Sequence, residues 1–132
     1  MNFPGTFPRL FRNESGGRFT DVSASAGIQV RNKATGLPMA KSLGVAPVDF
    51  NTDGWIDLIV ANDTVQNFVF SNRWDGTFAE VGAESGLAFD TFGAARGAMG
   101  IDAGRFTEDE SLGVSIGNFA NAFVTTNNAT AI

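Results

Sequence analysis

The sequence predicts an all-β protein of short strands, and three observations carry that prediction. Hydrophobic residues make up 43% of its 132 residues, enough to bury a core in one domain's worth of chain. Thirteen Phe and two Trp supply bulk for that core, and sixteen Gly among many Asn, Asp, Ser and Thr mark frequent tight turns. The chain also repeats itself. Asn13, Phe19, Val22, Gly27 and Ile28 recur at one constant offset as Asn72, Phe78, Val81, Gly86 and Leu87. A second series interleaves with the first: Gly44, Val45, Phe50, Asp53 and Asn62 recur at a slightly shorter offset as Gly100, Ile101, Phe106, Asp109 and Asn118. Two ordered, interleaved series indicate duplication, with a small length change somewhere in 82–100.

The elements follow in order. Residues 10–12 and 19–22 read as strands joined by the Glu14, Ser15, Gly16, Gly17 turn. Residues 44–49 form a strand, and 58–61 form a short apolar strand buried on both faces. Residues 67–71 and 78–81 make a second hairpin around Asp75 and Gly76. Residues 100–103 and 114–116 repeat the inner pair, and 122–125 reads as one more strand. The small, Gly-rich stretches 23–41 and 83–97 read as connections, and no long 3.6-residue period calls for helix.

Charge and composition exclude several functions. A formal net charge of −5 repels phosphate backbones and argues against nucleic-acid binding. No Lys/Arg run suits an anionic membrane, and no apolar stretch approaches the roughly 20 residues of a spanning helix. The absence of Cys and His removes thiol, iron–sulfur, Cys/His zinc and Ser-His-Asp chemistry. Residues 1–10 lack the charged-then-apolar pattern of a signal peptide.

The chemistry-bearing segment is 49–57, between the first two inner strands. Asp49, Asn51, Asp53 and Asp57 place oxygen side chains at loop positions one, three, five and nine, and the Trp55 carbonyl can serve at position seven. Ca2+ takes six to eight oxygens, and three carboxylates with one amide suit it. Gly54 allows the sharp turn. Two other readings compete. In an ordinary turn the same side chains cap backbone groups. An EF-hand needs Glu at position twelve, where Val60 stands in an apolar run. At the matching positions of the second copy stand Arg105, Thr107, Asp109, Glu110 and Gly113, so one calcium per chain is expected.

Leu43 to Ala46 with Pro47, the 49–57 loop, and Leu58, Ile59, Val60, Ala61 and Asn62 resemble an FG-GAP repeat, also called a VCBS-type repeat, as in integrin α propellers. The first hairpin and Ala98, Met99, Gly100, Ile101 and Asp102 look closer to the cartilage acidic protein and UnbV-like branch. The resemblance implies four-stranded β-propeller blades with calcium in the loop between a blade's first and second strands. It divides 1–132 into an outer hairpin at 8–28, a complete blade at 44–82, and the inner strands of a further blade at 98–126.

About two blades are too few for a closed propeller, which needs four to eight. Head-to-tail pairing of the C-terminal inner strands with the next chain's N-terminal hairpin is therefore expected, giving a homo-oligomeric ring of three or four chains. The competing expectation is a fragment of a longer protein. Trp55 and Trp74 read as packing between blades, with a sugar-binding face as the rival, and the strand Phe residues read as core. Arg96 and Arg105 read as pairing with nearby carboxylates. No nucleophile stands beside a base, so the expected function is a non-catalytic scaffold for protein or glycan partners. The alternative is part of a propeller enzyme or calcium-dependent adhesion protein with its site in the channel. The family resemblance implies an extracellular or periplasmic setting.

Overall fold

The computed structural model describes residues 3–105, 111–119 and 125–128, and these contain strands, turns and no helix. The nine strands are β1 (Phe11–Asn13), β2 (Phe19–Asp21), β3 (Ser42–Val48), β4 (Asp57–Asn62), β5 (Phe68–Asn72), β6 (Phe78–Glu80), β7 (Ala98–Arg105), β8 (Leu112–Asn118) and β9 (Thr125–Asn128). They form three antiparallel sheets, β1-β2, β3-β4-β5-β6 and β7-β8-β9. The protein is all-β, and its middle sheet is a complete four-stranded blade.

Alternation along β4 and β5 explains how this blade holds the molecule together. Successive side chains on a strand point to opposite faces. Ile59, Ala61 and Val69 face one way and pack with Ala98, Val114 and Ile116 of the third sheet and with Leu87. Val60, Phe68 and Phe70 face the other way and pack with Ile28 and Ala40, with Leu10, Val30 and Met39 around them. Both faces of β4 are buried, which is why it reads as an unbroken apolar run. The third sheet approaches closely because Gly44 lacks a side chain. A Cβ there would sit 3.1 Å from Ile101 Cγ2 and 3.3 Å from the Ile101 nitrogen.

The duplication is visible at the level of register. Ser42 pairs with Asn62 and Gly44 with Ala61, with a bulge between Ser42 and Gly44; Ala98 pairs with Asn118 and Gly100 with Gly117, with a bulge at the same place. The hairpins match as well. Phe11 faces Asp21 as Phe70 faces Glu80, and Asn13 faces Phe19 as Asn72 faces Phe78. In both turns the Asn side chain accepts the N–H two residues on, 2.9 Å for Asn13 and Ser15, 3.0 Å for Asn72 and Trp74. Ser15 and Trp74, the matching residues, both adopt positive φ (65° and 67°).

The structure amends several expectations. Most strands are a residue or two longer or shifted relative to the sequence reading, and the expected strand at 122–125 overlaps β9 only at Thr125; residues 122–124 lie outside the described set. The segment 23–41 is more than a connection: Phe78 of β6 donates its N–H to the Ala26 carbonyl at 2.8 Å, and Thr6–Ala40 and Arg31–Pro38 form bridges. Among the described Phe residues only Phe68 and Phe70 are fully buried; Phe3, Phe11, Phe19, Phe92 and Phe119 are exposed.

Candidate metal-binding loop

The loop 49–57 hangs between β3 and β4, so its two ends are fixed by the Val48–Asp57 pair of the blade. Inside it, the Asp49 carboxylate accepts the N–H of Asp53 at 3.0 Å and of Gly54 at 2.9 Å. Asn51 Oδ1 also accepts the Asp53 N–H (3.1 Å), while Asn51 Nδ2 donates to Asp53 Oδ2 (2.9 Å). Asp53 Oδ1 accepts the Trp55 N–H at 2.8 Å. Two residues adopt left-handed backbone here, Gly54 at φ 88° and Thr52 at φ 60°. The first is the turn the sequence anticipated. The second is an unusual conformation for a β-branched side chain.

Asp57 has a different task. It is fully buried, and its oxygens accept the N–H of Asn72 (2.7 Å) and of Phe50 (3.2 Å). It therefore ties the start of β4 to the end of β5 and to the loop's own beginning. Asn72 completes the tie by donating Nδ2 to the Ile56 carbonyl at 3.0 Å.

Electrostatics separate the two carboxylates. The Trp55 amide, with help from Asn51 and Trp74, holds Asp53 below the ordinary carboxylate range despite some desolvation. Burial pushes Asp57 up; the Asn72 and Phe50 amides pull it down, and the charges of Asp53 and Asp49 push it up further. Two like charges thus bear on the buried Asp57 within a nine-residue turn.

The family comparison falls on this segment. Residues 49–112 match the FG-GAP-like repeat. This stretch is an FG-GAP-like repeat. The FG-GAP-like match opens at Asp49, spans the loop and β4 to β7, and ends at Leu112, the first residue of β8. No curated protein matches the chain.

Of the expected ligands, Asp49, Asn51, Asp53 and Asp57 all lie in this FG-GAP-like loop, but their oxygens are turned to backbone amides and, at Asp53 Oδ2, to the Asn51 and Trp74 side chains. Among the described residues no three acidic side chains lie close enough together to hold a metal as they stand. The donor set is chemically suited to a hard cation, since an ionised carboxylate has about four acceptor sites and these use two or three. Convergence on an ion requires Asp49 and Asp53 to turn. The ordinary-turn alternative describes the hydrogen bonds observed.

The tryptophans do not pack between the described blades of this chain. Trp55 and Trp74 are both exposed, and Trp74 Nε1 donates to Asp53 Oδ2 at 3.2 Å. Trp74 is a loop residue that sequence reading missed; its signal was the Asn72 turn, which throws the next-but-one side chain back toward the loop. Arg96 does pair with a carboxylate, that of Asp90. The counterpart loop beyond Arg105 falls at 106–110, outside the described residues, so Thr107, Asp109 and Glu110 are not placed.

Proposed function

We propose that this chain is a calcium-stabilised FG-GAP-type blade module whose role is structural and non-catalytic, scaffolding protein or glycan partners in an extracellular or periplasmic setting. The observation that carries the reading is the concentration of Asp49, Asp53 and Asp57 in one loop, where burial raises Asp57 most and the charges of Asp53 and Asp49 add to it. A divalent cation relieves that repulsion and converts it into attraction, which fixes the angle between β3 and β4. The −5 chain charge adds a long-range field favouring cations. Millimolar calcium outside cells is enough to fill a site of modest affinity.

Calcium titration followed by thermal melting tests this. Calcium is expected to raise the melting temperature in a saturable way, and Asp49→Ala and Asp53→Ala to lose that response. Equal melting in calcium and in chelator, with no heat on titration, overturns the calcium assignment and leaves the loop as an amide-capped turn.

A further inference from the structure

Two of the inter-blade contacts that the chain makes within itself have their separate halves presented again on its surface. The first contact is Ile101 of β7 seated over Gly44 of β3. By the register repeat, Val45 is the counterpart of Ile101, and Gly100 is the counterpart of Gly44. Val45 is 57% exposed, and no described residue lies within 4 Å of the point a Cβ on Gly100 would occupy. The second contact is Phe78 of β6 against the turn at Ala26 and Gly27, where a Cβ on Gly27 would lie 2.9 Å from the Phe78 carbonyl oxygen. The counterparts are Phe19, which is 62% exposed, and the Ser85–Gly86 turn, with open space where a Gly86 Cβ would sit.

We propose that a second copy of this chain supplies the missing halves, its Val45 seating on Gly100 and its Phe19 on the Ser85–Gly86 turn, so that copies join head to tail. One placement satisfies both contacts, because β2 and β3 of the incoming copy lie on it in the same order as β6 and β7 lie on Gly27 and Gly44. The seat has the right form. A groove of about 450 Å³, lined by Leu10, Ile28, Leu43, Val45, Leu58 and Val60, lies where the inner strands of the preceding blade belong. β7 and β8 of the neighbouring copy fill it, as β3 and β4 fill the place beside β7.

The strand edge is the step that changes. β5 pairs with Leu58, Ile59 and Val60 of β4. The matching β8 residues Val114, Ser115 and Ile116 pair with Asn127, Thr126 and Thr125 of β9. β1 of the incoming copy replaces β9 there, exchanging a polar strand for one that opens at Phe11 and is preceded by Leu10. Asp102 takes the position that buried Ala46 holds in the internal contact, which makes the joint weaker than its internal model and reversible.

This inference does not depend on the loop's ion, and calcium is kept present throughout its test. Light scattering of the full chain is expected to give at least twice the 13.9 kDa chain mass. Val45→Asp alone and Gly100→Val alone, both solvent-facing changes, are expected to give monomers. An equimolar mixture of the two is expected to give a dimer and nothing larger, because one intact Val45 meets one intact Gly100. Val45→Lys and Gly100→Leu repeat the test if either first variant fails to melt cooperatively. A wild-type monomer, a single variant that assembles like wild type, or a mixture that stays monomeric overturns the proposal.

Discussion

The hairpins β1-β2 and β5-β6 share register, turn bonds and left-handed turn residues, yet one is exposed and the other buried. Every residue of β1 and β2 faces solvent, whereas Phe68, Val69 and Phe70 of β5 are shut in. Backbone conformation here is written locally, by an Asn that caps the turn and a Gly two residues before the second strand. Burial is written elsewhere, by whether an inner pair such as β3-β4 stands alongside. A hairpin can therefore be fully formed and contribute little to the core.

The largest test of that contrast compares Phe70→Ala with Phe11→Ala. The two residues hold the same place in their hairpins, but Phe70 is 1% exposed and Phe11 is 51% exposed. Truncating Phe70 is expected to cost about 3–5 kcal/mol in chemical denaturation, as for a core aromatic. Truncating Phe11 in a monomeric background such as Val45→Asp is expected to stay within about 0.5 kcal/mol. Equal losses break the comparison and place β1 in a core that this chain does not itself display.

Next in size is Asp57→Ala. The inner pairs differ at this position, with Asp57 opening β4 and Gly113 in its place in β8. Among the described residues only the complete blade has a carboxylate here, pinning its outer hairpin through the Asn72 amide and its loop through the Phe50 amide. Removing it leaves two amides without their acceptor, expected to cost on the order of 3 kcal/mol by denaturation in chelator. The chelator matters, since it isolates the pin from any ion. A loss seen only in calcium would move Asp57 from a structural tie to a ligand.

Much of this was legible in the sequence, and what was not has a physical reason. Recurrence of Asn13 as Asn72 and Gly44 as Gly100 located the strands, because caps and close approaches demand those residues locally. Gly44 could be identified as a repeat marker but not as the seat for Ile101, since that contact joins strands far apart in the chain. The loop's acidic residues were found by spacing. Their present partners were not, because alternate spacing serves an ion and a capped turn equally. The exposure of Phe11 and Phe19 was misjudged for the same reason the hairpins differ: hydrophobicity states what a side chain prefers, and only the neighbouring sheet decides what it receives.

The smallest test exchanges a detail between the two hairpins. In the first, the Leu10 N–H donates to Ser23 Oγ at 2.8 Å, and the Ser23 hydroxyl donates to Asp21 Oδ1. That bond holds Asp21 below the usual carboxylate range, so its stabilising effect is present at neutral pH and lost as acid protonates it. In the second hairpin the counterparts are Val69, Gly82 and Glu80. The longer Glu80 reaches the Gly82 N–H at 2.8 Å and approaches the Val69 N–H at 3.4 Å without a relay. The two solutions exclude one another, because a Cβ at Gly82 would lie 2.6 Å from Glu80 Oε1. Ser23→Gly alone is expected to cost about 1 kcal/mol, the worth of a hydrogen bond. Adding Asp21→Glu is expected to recover most of that loss, while Asp21→Glu beside an intact Ser23 crowds the turn and destabilises. A double-mutant cycle reads the coupling directly. Additive losses would mean that Glu80 and the Asp21–Ser23 relay do unrelated jobs, and that the hairpins are alike in backbone alone.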